Sequence, residues 1–303
     1  MKLQYFTVNA FTDTAFQGTQ VLVFPDADSA DDATMTAINE EFGFPDTVFV
    51  KSGSSPDYAA KLRLFTRSGE IAFAGHATIG AAYALFHGGK FVSQGLPFQC
   101  TLEEGVGPVD LIFRKNDDSG PVTEFVVKTN PVFETYVPPT EDLAKILGIE
   151  HSSFAVDTFS PLVTLCDRPY LIIPVCETHA LQQAKFNYAA WVQSSATSTM
   201  PTDLFVFSPT SADSTSHFQG RLLGQSIGME DDPPIGSVMP AFANYLIQCD
   251  GSFISKEIVV QRGRGHKRLS TLKLRIDINA NDTTSVRVGG SAVVVSRGEL
   301  SIP

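Results

Sequence analysis

The sequence predicts an α+β chain of two similar domains, and three observations carry that reading. The chain has 303 residues, long for one core and about right for two. Short β-patterned runs rich in Val, Phe and Thr outnumber the helical runs. One unit of strand, strand, glycine turn and apolar helix occurs twice.

In the first half the strand patterns are LQYFTV, QVLVF, TVFVK, KLRLFT, VDLIF and EFVVKT, separated by Gly, Pro, Asp or Ser. A helix is predicted from Asp31 to Gly43, with Asp in its first turn and Gly at its end. A second runs from His76 to His87 and stops at Gly88-Gly89. In the second half, EDLAKILG and ALQQAKFNYAAWVQ read as helices. YLIIPV, DLFVFS, EIVVQ, LKLRIDI and SVRVGGSAVVV read as strands. SSATSTMPT and SPTSADSTS read as loops.

The repeat is explicit. TVFV (Thr47 to Val50) is followed by RLFT from Arg63, a glutamate, a Gly-His turn and the helix IGAAYALF. LFVF (Leu204 to Phe207) is followed by RLLG from Arg221, acids, a Gly-Ser turn and the helix VMPAFANYL. Each helix is apolar nearly all round, so each is expected to be wrapped by its own domain's sheet. The domains are expected at 1–127 and 128–285. A strand pattern at about 286–303 is left over after the second unit.

Composition excludes several classes. A formal net charge of −11 opposes general binding to nucleic acid or anionic membranes. The basic stretch QRGRGHKRLS (Gln261 to Ser270) reads as a turn with solvated charges. The N-terminus has no signal-peptide pattern, and no stretch approaches about 18 apolar residues. The cysteines Cys100, Cys166, Cys176 and Cys249 are scattered, as buried free thiols of a cytoplasmic protein would be. No H-E-x-x-H or comparable spacing occurs, so no metal is expected.

The candidate site residues sit at the two turns. Gly75-His76 and Gly236-Ser237 place free N–H groups and a positive dipole end at the start of buried helices. Such ends hold an anion, for instance a substrate carboxylate. His76 is equally readable as a satisfied buried histidine, and Ser237 as a cap. Asp46 in FPDTVFV, and Asp231 and Asp232 in MEDDPPIGS, lie nearby in sequence. They read either as turn and capping residues or as acid–base groups beside a bound acid. No G-x-S-x-G, P-loop or strand–G-x-G-x-x-G–helix competes.

The run RLFTRSGEIAFAGHATIGAA closely resembles the R-x-F-T-P-x-x-E-x-x-F-A-G-H-x-T-x-G-A-A signature of the PhzF-like phenazine biosynthesis family. EDDPPIGS resembles its E-D-P-x-T-G-S turn, and VVQRGRGHKRLS with VRVGGSAVVV resembles its C-terminal motifs. The opening strand and FQGTQVLVF resemble its start, so the likeness spans the chain. The resemblance implies a diaminopimelate epimerase-like fold of two pseudo-symmetric domains. Each would be a curled, mostly antiparallel sheet around a central helix, with the last strand returning to the first domain. It also implies a homodimer and a cofactor-free isomerase acting on a small carboxylic acid. The family's essential carboxylate, in an E-S/T-x-F-V context, corresponds to Asp46. Its other active-site groups correspond to His76, Asp232 and Ser237.

Departures from the pattern are specific. Asp46 stands for Glu, Ile235 for Thr, Arg67 for Pro and Thr19 for Asn. The paired cysteines of the epimerases are absent, with Ala74 and Ile235 near those places. A two-thiol racemisation is therefore not expected. The expected reaction moves a proton between carbons of a cyclic or unsaturated acid, with Asp46 as acid–base group in an interdomain cleft. Alternatives are a lyase or hydratase with the same acid–base set, or a binding protein that keeps the cleft without the chemistry.

Overall fold

The computed structural model describes residues 1–302 apart from 92–94, 116–119, 155–156, 196–200, 212, 226, 228–231, 264–267 and 279–282. Asp231, the middle of the basic stretch and parts of both Ser/Thr-rich stretches lie outside the described residues. The chain forms two compact units. One comprises Met1–Val127, Arg268–Leu272 and Arg287–Pro303; the other comprises Lys128–Lys267 and Lys273–Val286.

In the first unit β1 (Lys2–Ala10) pairs antiparallel with β2 (Thr19–Phe24). Helix α1 (Asp32–Phe42) then crosses to β3 (Asp46–Lys51), which is parallel to β2. Asp31 caps α1 by accepting from the Thr34 N–H at 2.8 Å. Gly43 ends it at φ 60°, a left-handed conformation that glycine adopts without a Cβ clash. β4 (Ala60–Thr66) runs antiparallel to β3, and the short β5 (Gly69–Ile71) folds back on it. Helix α2 (Gly75–His87) follows. β6 (Phe98–Glu104) is parallel to β4 and forms a hairpin with β7 (Gly107–Arg114). β8 (Val122–Thr129) pairs with β7.

The second unit repeats this order. After β9 (Val132–Glu134) and α3 (Thr140–Leu147), β10 (Leu162–Leu165) pairs antiparallel with β11 (Pro169–Pro174). Helices α4 (Thr178–Gln183) and α5 (Tyr188–Gln193) cross to β12 (Asp203–Pro209), which is parallel to β11. β13 (Phe218–Gly224) is antiparallel to β12, then α6 (Met239–Cys249) follows, and β14 (Glu257–Arg262) is parallel to β13. The antiparallel, parallel, antiparallel, parallel sequence of pairings is the same in both units. β15 (Ser270–Ile278) and β16 (Thr284–Gly290) come next. β17 (Ala292–Ser301) pairs antiparallel with β1, from Lys2 opposite Ser301 to Ala10 opposite Ala292.

The two apolar helices are buried in their own units. α2 packs on β1, β2, β3 and β17, with Ala77, Ile79, Ala81 and Ala82 at most 1% exposed. Its small residues allow close approach. A Cβ on Gly80 would stand 3.1 Å from Val21. α6 packs on β10 and β11, and its Phe242 stacks edge-on among Phe205, Phe207 and Phe218. The architecture is α+β, as the patterning predicts.

Four expectations change. ALQQAKFNYAAWVQ is two short helices. Lys185 N–H bonds to the Leu147 carbonyl and Asn187 N–H to that of Ile146, and Asn187 then caps α5 through Ala190. SVRVGGSAVVV is two strands, broken at Ser291. The described basic residues of Gln261 to Ser270 include Arg262, which is 5% exposed. Arg268 donates to the Gln17 and Gly18 carbonyls, so backbone oxygens occupy part of the charge expected in solvent. All four cysteines are free, but Cys176 is exposed and none is fully buried.

Candidate active site

Asp46 and His76 meet in the first unit. Asp46 opens β3 directly after the left-handed turn at Gly43, opposite Thr66 in the β3–β4 ladder. Asn39 of α1 donates to the Thr66 carbonyl at 2.9 Å and ties helix to strand there. His76 is the second residue of α2, which rests on β3. The two elements bring His76 Nε2 to 2.8 Å from Asp46 Oδ2, with each side chain 10% exposed. The contact is close but not aligned as a hydrogen bond, so the ring nitrogen is not consumed by the carboxylate. A carboxylate and an imidazole thus stand side by side, both largely buried. That is the arrangement acid–base chemistry requires.

The start of α2 has no side-chain cap. Its N-cap is Ala74, in extended conformation, followed by Gly75. The first N–H groups of a helix lack intrahelical partners, so this end is an open donor set. Glycine is required at 75 for a packing reason as well. A Cβ there would stand 2.7 Å from Cε1 and Cζ of the buried Phe125 ring.

The second unit carries Asp232, Gly236 and Ser237 on one segment. Gly236–Val238 form a single 3-10 turn ahead of α6, which differs from the plain helix start the sequence suggests. Pro240 lies in the first turn of α6, where its missing N–H costs no helix bond. Gly236 is buried and Ser237 half-buried. The Ser237 hydroxyl lies 3.4 Å from both Tyr170 Oη and Arg168 Nη2. Arg168 also stacks over the Tyr170 ring and reaches Asp203 at 3.5 Å. Burial raises the Tyr170 hydroxyl, which stays protonated.

Arg262 donates to the Asp232 carbonyl, and its Nε lies 4.0 Å from Asp232 Oδ2. Asp232 Oδ1 is buried and makes no hydrogen bond among the described residues. Arg262, Arg168 and Tyr170 are neighbours of the candidate residues that pattern reading did not single out. Arg262 lies within a stretch read as solvated, Tyr170 opens the strand pattern YLIIPV, and Arg168 lies just before it. A cavity of about 340 Å³ in the second unit is elsewhere, lined by Phe159, Thr210, His217 and Asp250. Among the described residues no cluster of His, Cys, Asp and Glu has metal-site geometry, and no helix is long and apolar enough to cross a membrane.

Comparison with known proteins assigns this architecture. The family model for phenazine biosynthesis-like proteins matches residues 8–298. An uncharacterized isomerase of Mesorhizobium japonicum is 26% identical, with 98% of each chain covered. The trans-2,3-dihydro-3-hydroxyanthranilate isomerase of Pseudomonas chlororaphis is 25% identical, again over 98% of each chain. The crystal structure of a PhzF-family phenazine biosynthesis protein from Bacillus anthracis superposes with a TM-score of 0.85 over all of both chains, at 22% identity. The chain belongs to the phenazine biosynthesis-like protein family, and its enzyme class is that of the isomerases.

Proposed function

We propose that the chain moves a proton between two carbons of a small carboxylic acid, cyclic or unsaturated, without a cofactor. The observation that carries this reading is the Asp46–His76 pair, two nine-tenths-buried groups 2.8 Å apart at an uncapped, glycine-opened helix start. The Asp46 carboxylate takes a proton from an acidic C–H. The electrons of that bond pass into the conjugated system of the acid. The same proton then returns to another carbon, so the product is an isomer and the carboxylate is regenerated. The cyclic amino acid named for the Pseudomonas chlororaphis relative is the first candidate substrate.

In this reading His76 orients the shuttled proton, and the turn amides at Gly75, Gly236 and Ser237 bind the substrate carboxylate in a cleft between the domains. Asp232, next to Arg262, supplies a second acid–base group. The protein acts as a homodimer. Incubation in D2O with a panel of cyclic and unsaturated acids tests the reaction class. Deuterium at carbon together with an isomeric product supports it. Loss of water or another leaving group would make the protein a lyase, and no label from any acid it binds would make it a binding protein.

A further inference from the structure

Glu104 is a buried carboxyl that the proposed chemistry does not use. It ends β6, is 5% exposed, and its Oε1 lies 2.8 Å from the Thr78 hydroxyl. Thr78 is in the first turn of α2, and the same hydroxyl lies 3.2 Å from the Ala74 carbonyl, the residue before Gly75. A hydroxyl has one proton and cannot donate fully to both oxygens. The other oxygen, Oε2, is buried and has no hydrogen-bond partner among the described residues. An ionised carboxylate with a bare buried oxygen is costly, whereas the carbonyl oxygen of a neutral acid tolerates that position better.

We propose that Glu104 is held as a neutral carboxylic acid that donates to Thr78, which in turn donates to the Ala74 carbonyl, making Glu104 a positioning residue for the Gly75–His76 turn. The chain of two donations gives each of the Thr78 hydroxyl's two contacts its own proton. The β6–β7 turn adds to the clamp. Val106 N–H bonds to the Ala72 carbonyl at 3.3 Å, and a Cβ on Gly105 would stand 2.7 Å from the Ala72 Cα. Residues 72–74 are thus gripped by the hairpin on one side and tied through Thr78 on the other.

Among the described residues no opposing charge favours ionisation. Glu103, the neighbour on β6, points to the other face and pairs with Lys61 of β4. Arg63 of β4 pairs with Glu70 and Asp32, Arg114 of β7 with Glu124 of β8, and His76 of α2 with Asp46. Asp110 of β7 accepts from Thr101. Tyr83 of α2 is held neutral by burial. Burial, offset in part by the Thr78 bond, pushes the Glu104 carboxyl up to about 8.

Ionisation would take the Thr78 proton from Ala74 and place a negative charge behind the amides of the turn. That would weaken any anion bound there, a consequence that rests on the anion reading given above. Stability follows the same proton. Between the ordinary carboxyl value of 4.5 and about 8, the folded chain keeps a proton that the unfolded chain has released. Glu104's contribution is therefore full below pH 4.5 and is lost as pH rises toward 8.

Three measurements on the full chain test this. The infrared difference between wild type and Glu104→Gln at neutral pH is expected to show the carbonyl stretch of a protonated acid. Thr78→Val should shift that band to higher frequency. No acid band, or a band unmoved by Thr78→Val, overturns the proposal. In denaturation from pH 5 to 9, the folding equilibrium constant of wild type should fall relative to Glu104→Gln by on the order of a thousandfold. Parallel curves overturn it. With acetate as the probe, wild-type affinity should fall about tenfold relative to Glu104→Gln between pH 6.5 and 9.5; because both proteins keep His76, its titration cancels. Equal pH profiles overturn the coupling to the turn. Absence of acetate binding in both overturns the anion reading, while the infrared band still decides the state of Glu104.

Discussion

His76 Nε2 stands 2.8 Å from Asp46 Oδ2, and this contact joins the start of β3 to the start of α2 inside one unit. The pair is buried enough to strengthen its electrostatics, yet a tenth of each side chain reaches the surface. His76→Gln keeps a polar side chain and removes the titratable ring. Turnover of an accepted acid is expected to fall by about 10²-fold or more, with KM changed far less, as for a lost acid–base partner. Asp46→Glu lengthens the carboxyl by one methylene and crowds His76, so a milder loss is expected. Steady-state kinetics of both variants check this.

Gly75→Ala tests the turn by packing. The new methyl would meet the Phe125 ring at 2.7 Å. That ring is fully buried and lies edge-on to Phe73, so it has little room to yield. Destabilisation of about 1–3 kcal/mol is expected, the usual cost of overpacking. Chemical denaturation of Gly75→Ala measures it. Gly69→Ala is a useful contrast, because no atom lies within 4 Å of its Cβ and any cost there comes from φ 114° alone.

Thiol chemistry gives a third test. Burial pushes Cys100 up to about 11 and Cys166 up to about 12. At pH 7.5 fewer than about one in a thousand of either is a thiolate, and only the thiolate reacts. Iodoacetamide is expected to label the exposed Cys176 and leave turnover unchanged. Loss of activity in proportion to labelling of Cys100 or Cys166 would contradict this.

The repeat was readable because it lies in local patterns. TVFV with RLFT, and LFVF with RLLG, mark β3–β4 and β12–β13, and each is followed by an apolar helix. The Asp46–His76 contact was readable only as two candidates, since their distance depends on how α2 rests on β3. Other features depend on packing that periodicity does not encode. Glu104 follows Glu103 in a strand, and only the hairpin's closeness to α2 buries one and leaves the other paired with Lys61. Arg63 and Arg221 occupy matching places in the repeat. Arg63 meets Glu70 and Asp32, while Arg221 is buried and donates to the Leu181, Gln182 and Ala184 carbonyls. The 3-10 turn at Gly236 precedes a proline that a helical pattern absorbs without trace.

The most direct test of Asp46 as the proton shuttle is solvent-deuterium exchange into an acid that wild type turns over, followed by NMR in wild type and Asp46→Asn. Asparagine keeps the side-chain shape and removes the base. The expected result is labelling at carbon by wild type and a rate at least about 100-fold lower in Asp46→Asn, with the acid still bound. Labelling by Asp46→Asn at the wild-type rate would contradict the account and leave Asp46 a turn residue at the head of β3.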